Sequence, residues 1–76
     1  MCVGVPGRII ALSENHVATV DVDGNQMEIS TVLLPEVKLE QFVLIHAGFA
    51  MDIITEDVAD EIIYYLKELQ QYAYEA

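Results

Sequence analysis

His16-Val17-Ala18-Thr19-Val20-Asp21-Val22-Asp23-Gly24-Asn25-Gln26-Met27-Glu28-Ile29-Ser30 is the stretch from which the fold can be read. From His16 to Val22, Ala18, Val20 and Val22 fall on one face and Val17, Thr19 and Asp21 on the other. That period of two marks a half-buried strand. Asp23 and Gly24 both tolerate positive φ, so the pair predicts a tight hairpin turn. Gln26 to Ser30 returns as the partner strand, with Met27 and Ile29 on one face and Glu28 and Ser30 on the other.

Working outward, Arg8-Ile9-Ile10-Ala11-Leu12 reads as a preceding strand, joined through a polar turn at Ser13-Glu14-Asn15. After the hairpin, Val32-Leu33-Leu34 is apolar, but Pro35 stops any long central strand. The expectation for residues 31–40 is the end of one strand, a loop at Pro35-Glu36 and the approach to another. Phe42 to His46 is a hydrophobic strand, Ala47-Gly48-Phe49-Ala50 turns the chain out of it, and Met51 to Ile54 forms one more short extended segment.

The period then changes. Val58, Ile62, Leu66, Leu69 and Ala73 recur at three- and four-residue spacing, with Ala59 and Ile63 widening the stripe. Thr55 is placed to cap the helix, and Glu56-Asp57 put negative charge where the helix dipole favours it. The pattern predicts a helix from about 56 to 73 whose apolar face covers the sheet. Tyr64, Tyr65, Tyr72 and Tyr74 lie partly off the stripe, where they cover its flanks; the competing use is aromatic surface for a partner. Short antiparallel strands followed by one amphipathic helix define an α+β domain, mainly β. Strands this short curl more readily into a small barrel than they stay flat with open edges. The 76 residues make a single domain, with the barrel and an N-terminal hook over about 1–54 and the helix over about 55–74.

A chain of this length buries only about 60% of its unfolded surface, yet 54% of its residues are hydrophobic. The surplus predicts apolar surface left for a partner. Thirteen acidic residues against three basic ones give a net charge of −10. Such a chain offers almost no Lys or Arg to phosphates, which argues against nucleic acid and against anionic membrane surfaces. The acidity serves solubility or complements a basic partner face. With no transmembrane-length stretch and no signal-peptide pattern, the expected location is the cytoplasm, where an unpaired thiol also fits best.

That thiol, Cys2, is the lone cysteine. Cys is a small second residue, so Met1 is expected to be removed, leaving an α-amine beside a thiol whose thiolate it favours. The bland use of Cys2 is as a small hydrophobe. Behind it, Gly4 permits close backbone approach and Pro6-Gly7 favours a turn, giving a stiff hook. One thiolate cannot hold a metal alone, so a site needs borrowed ligands, and His46 at a strand end is the natural second donor. By itself His46 is more often a structural histidine, and His16 beside a polar turn is read as solvated. Cys2 with a histidine base also raises nucleophilic catalysis. The chain offers neither a nucleophile elbow nor polar residues to build an oxyanion site, and the expectation is that it is not an enzyme.

Met1-Cys2-Val3-Gly4-Val5-Pro6-Gly7-Arg8-Ile9, followed by Phe42-Val43-Leu44-Ile45-His46-Ala47-Gly48-Phe49-Ala50-Met51, resembles the small hydrogenase maturation chaperones of the HypC/HupF/HybG family. The resemblance runs over nearly the whole chain. It implies an OB-like barrel with a C-terminal helix and a role in assembling the [NiFe]-hydrogenase active site, whose iron carries cyanide and carbon monoxide. It implies two partners, an iron–sulfur maturation protein of HypD type and the hydrogenase large-subunit precursor. No cofactor is permanently bound; the iron is transient and shared with a partner. Carried over residue by residue, Cys2 and His46 are the iron-ligand candidates, and Cys2, Val3, Pro6, Gly7, Gly48 and Phe49 the partner-binding set. Family members commonly have a Gly-Asp pair before the histidine strand, where this chain has Glu40-Gln41. The competing reading is an acidic barrel adaptor that binds a protein partner through Phe49, the tyrosines and the acidic face, with no metal role.

Overall fold

The structure, a computed structural model, describes the backbone of residues 4–75 and the side chains of residues 4–68. The hairpin forms as its residues dictate. β2 (Val17–Val22) and β3 (Asn25–Ser30) pair antiparallel from Val22↔Asn25 to Val17↔Ser30. Asp23 and Gly24 between them take φ of 52° and 91°, both positive as a type I′ turn requires. The Asp21 carboxylate accepts the Gly24 amide at 3.0 Å, which closes the turn.

β1 (Val5–Ser13), β4 (Phe42–His46) and β5 (Phe49–Ile54) complete a closed barrel in the order β1-β2-β3-β5-β4. The pairings are antiparallel except where β3 meets β5, at Ser30↔Phe49. That contact is parallel because the β4–β5 hairpin enters the sheet after a long connection, so β5 runs in the direction of β3. Ile9, Ala18, Val20, Ile29, Val43, Ile45 and Ala50 fill the interior, joined by Val37 from the connection. The inward residues of β2 are those that the alternation selects; Val22, at the strand end, is only partly buried.

Expectations at three places along the barrel are corrected. Pro6-Gly7 is not a turn: both residues sit inside β1, opposite Leu44 and Val43. Pro has no N–H to give a ladder, and β1 tolerates it close to its first residue. Gly7 is there for space, since a Cβ at this position would lie 2.8 Å from Ile45 Cδ1 in the packed interior. Residues 31–41 contain no strand. Amides of Leu34, Val37 and Gln41 donate to the carbonyls of Thr31, Leu34 and Lys38, a series of turns that replaces strand pairing. Glu40 N–H donates to Ile9 O at 2.8 Å, which pins the end of the connection to β1. Ala47-Gly48 alone makes the β4–β5 turn, and Phe49-Ala50 already belong to β5.

α1 (Glu56–Glu75) starts where predicted. Val58 N–H donates to Thr55 Oγ1 at 3.3 Å and Ala59 N–H to Thr55 O at 2.9 Å, so Thr55 is the cap. The helix packs on β1 and β4. Pro6 alternates with the inward Gly7 and Ile9, so it points out of the barrel, yet it is fully buried; the helix on that face accounts for this. On α1 Ala59 is buried and Ile62, Ile63 and Leu66 are half-buried, while Val58, expected on the stripe, is exposed. Tyr64 and Tyr65 do not cover the flanks of the core: they are 59% and 60% exposed and meet edge to face at 5.5 Å. Tyr72 and Tyr74 lie outside the described side chains. Lys67 reaches Asp23 at 3.8 Å, an exposed pair worth little by itself but one that brings the helix to the β2–β3 turn.

Candidate functional site

The end of the barrel where β4 stops is built by two short pieces of chain. His46 is the last residue of β4 and its side chain is exposed. Ala47 and Gly48 then reverse the chain with φ of 55° and 83°, a second two-residue turn with both residues left-handed. Phe49 opens β5 directly across from His46 and is 41% exposed. The turn is held from one side, since Gly48 O accepts the Ser30 amide at 2.9 Å. Imidazole and phenyl ring are therefore presented by a hairpin end that is itself tied to β3.

The other piece is the start of β1. Its antiparallel register with β4 runs Val5↔Ile45, Pro6↔Leu44, Gly7↔Val43. Continued by one step, the register sets Gly4 opposite His46. Gly4 is buried, and a Cβ on it would overlap the Leu44 side chain, so the chain can lie this close to β4 only without one. Cys2 and Val3 lie outside the described residues. In the sequence Cys2 stands two residues before Gly4. Pro6 and Gly7 are buried in β1; what they do is hold the strand that places Gly4.

Of the sequence-predicted residues, the structure thus gathers His46, Gly48 and Phe49 at one turn, beside the end of the strand into which Pro6 and Gly7 are packed. His16 sits elsewhere, exposed in the β1–β2 turn at φ 57°, its carbonyl accepting the Thr31 amide at 2.7 Å. Among the described residues, no group of three or more His, Cys, Asp or Glu is arranged to hold a metal ion. Sequence reasoning missed Met27, which points the same way as Ile29 yet is 44% exposed, because β3 has little beside it at that level. No helix among the described residues is long and apolar enough to cross a membrane.

The model of the HupF/HypC family matches residues 1–66. The hydrogenase maturation factor HybG of Escherichia coli strain K12 is 39% identical over 75 residues, covering 91% of this chain and 92% of that protein. The hydrogenase maturation factor HypC of Synechocystis is 34% identical over 74 residues, covering 91% and 97%. HypC of Escherichia coli strain K12 is 38% identical over 69 residues, covering 83% and 76%.

Proposed function

From the premise that this chain belongs to the HupF/HypC family of hydrogenase maturation factors, we propose that it is a non-enzymatic assembly chaperone for the iron of a [NiFe]-hydrogenase. In this reading it binds a HypD-type iron–sulfur maturation protein and the large-subunit precursor, and passes the iron bearing cyanide and carbon monoxide from one to the other. The observation that supports the reading is the register that, continued by one step, sets Gly4 opposite the exposed His46; Cys2 stands two residues before Gly4 in the sequence.

The chemistry follows from the donors. A thiolate is a soft ligand suited to an iron whose other positions carry cyanide and carbon monoxide, and an imidazole is a second, borderline donor. With Cys2 and His46 as its donors, the remaining contacts come from the cargo's own ligands and from the partner, and release needs few bonds to break. Cys2 is the essential donor in this account and His46 the auxiliary one.

The test is infrared absorption, in the cyanide and carbonyl stretching region, of the complex with the HypD-type protein purified without air. Cys2→Ala is expected to remove these bands and hydrogenase maturation while leaving the fold unchanged, since it alters one side chain near a terminus. His46→Ala is expected to weaken both. The exposed Phe49 and the paired Tyr64 and Tyr65 support a second reading, a protein-binding adaptor without a metal role. Normal bands and normal maturation in Cys2→Ala would select the adaptor.

A further inference from the structure

We propose that the open edge of β3, at Gln26 and Glu28, is a strand-addition site for an extended partner segment carrying Lys or Arg. The proposal rests on the reading of the chain as a factor that docks maturation partners, and names how one of them is held.

Parity decides which backbone groups face the edge. A two-residue turn at Asp23-Gly24 makes Val22 and Asn25 a hydrogen-bonded pair, and such pairs alternate along an antiparallel ladder. Asn25, Met27 and Ile29 therefore turn their N–H and C=O toward β2, while Gln26, Glu28 and Ser30 turn theirs away. Two independent bonds fit this phase: Thr31 N–H donates to His16 O on the β2 side, and Ser30 N–H to Gly48 O on the other. Ser30↔Phe49 is the single β3–β5 pair among the described residues. The barrel is thus closed at one rung, and below it the amides and carbonyls of Gln26 and Glu28 have no backbone partner among those residues.

Natural sheets blunt such edges with bulges, Pro, covering loops or charge. β3 pairs with β2 without a register break and contains no Pro, so it is a regular template for main-chain hydrogen bonds. What guards it is negative charge from Glu28 on the strand, since Asp23 in the turn already has Lys67 at 3.8 Å. With the net charge of −10, this disfavours pairing with a second copy and favours a strand that brings cations. Met27, half exposed next to the edge, offers an apolar contact for one alternate side chain of the visitor. The free edge runs out at the rung where Gly48 and Phe49 stand, so a strand seated there ends beside His46.

Backbone amide hydrogen exchange, followed by nuclear magnetic resonance, tests this in the free chain and in complex with the HypD-type protein and the large-subunit precursor in turn. In the free chain the amides of Gln26 and Glu28 are expected to exchange rapidly, and those of Met27 and Ile29 slowly. In at least one complex the first two should slow by tenfold or more. Gln26→Pro removes one edge donor without touching the ladder to β2; it should weaken that complex about fivefold, whereas Gln26→Ala, which keeps the N–H, should bind as the wild type does. The exchange comparison needs no variant, so it decides the matter even if Gln26→Pro unfolds. Complexes that form while both amides still exchange at the free rate overturn the proposal and leave the maturation reading standing. Protection already present in the free monomer, or growing as the chain dimerises, overturns it as well. If neither partner binds, the maturation reading fails and this proposal falls with it.

Discussion

Ala47 and Glu40 carry a steric load that their side chains do nothing to relieve. Both occupy left-handed backbone, at φ of 55° and 70°, a region that costs a residue with a Cβ about 1–2 kcal/mol. Glu40 stands where the resemblance implies the Gly of a Gly-Asp pair, and it has the conformation that Gly accepts freely. Gly loses about 0.5–1 kcal/mol more backbone entropy on folding, so Ala47→Gly or Glu40→Gly should be net stabilising by about 0.5–1 kcal/mol. For a domain of this size that raises the melting temperature by about 3–6 °C, measurable by circular dichroism on heating; a lower midpoint in both variants would mean the turns are not strained. The same residues show what could be read beforehand. Asp23-Gly24 carries the turn signature and was legible, whereas Ala47-Gly48 makes the same kind of turn without an Asn or Asp and looked like part of a longer exit. His46 was legible as a strand end, but its place opposite Gly4 was not, because strand partners far apart in sequence leave no mark in either strand alone.

Elements were legible where one period governs and illegible where hydrogen bonds in turns decide which way a side chain faces. β2 and β3 follow from alternation, and β4 from its short hydrophobic run. Residues 31–41 do not: Val37 is buried while Val32 and Leu33 are exposed, an outcome fixed by successive turn bonds and not by hydrophobicity. The helix lies between these cases. Its start is set by Thr55, whose hydroxyl accepts the Val58 amide, yet its apolar stripe is wider than the groove it packs into. Contact with β1 and β4 selects Ala59, Ile62, Ile63 and Leu66 and leaves Val58 and the two tyrosines in solvent. Thr55→Ala deletes the cap without adding bulk. It should lower stability by about 1 kcal/mol, read as a shifted urea midpoint with an unchanged slope. A midpoint that does not move would show that docking on the barrel, and not the cap, holds the first turn.

At the scale of the molecule, charge and shape act together. The chain measures 43 × 24 × 22 Å, and a helix of twenty residues, about 30 Å long, accounts for the long dimension. The sequence carries thirteen acidic residues and three basic ones, with Glu56, Asp57, Asp60 and Glu61 crowding the first turns of α1. Charge of one sign at this density steers a basic partner from beyond contact distance, and the steering is screened as the Debye length shrinks from about 30 Å at 0.01 M salt to about 3 Å at 1 M. If the acidity serves recognition, the association rate with the HypD-type protein should fall about tenfold or more between roughly 0.02 M and 0.5 M salt. If apolar contacts such as Phe49 and main-chain bonds hold the complex, as proposed, dissociation should change far less. Stopped-flow fluorescence with a labelled partner separates the two rates. An association rate indifferent to salt would assign the acidity to solubility alone and leave recognition to the apolar contacts and main-chain bonds.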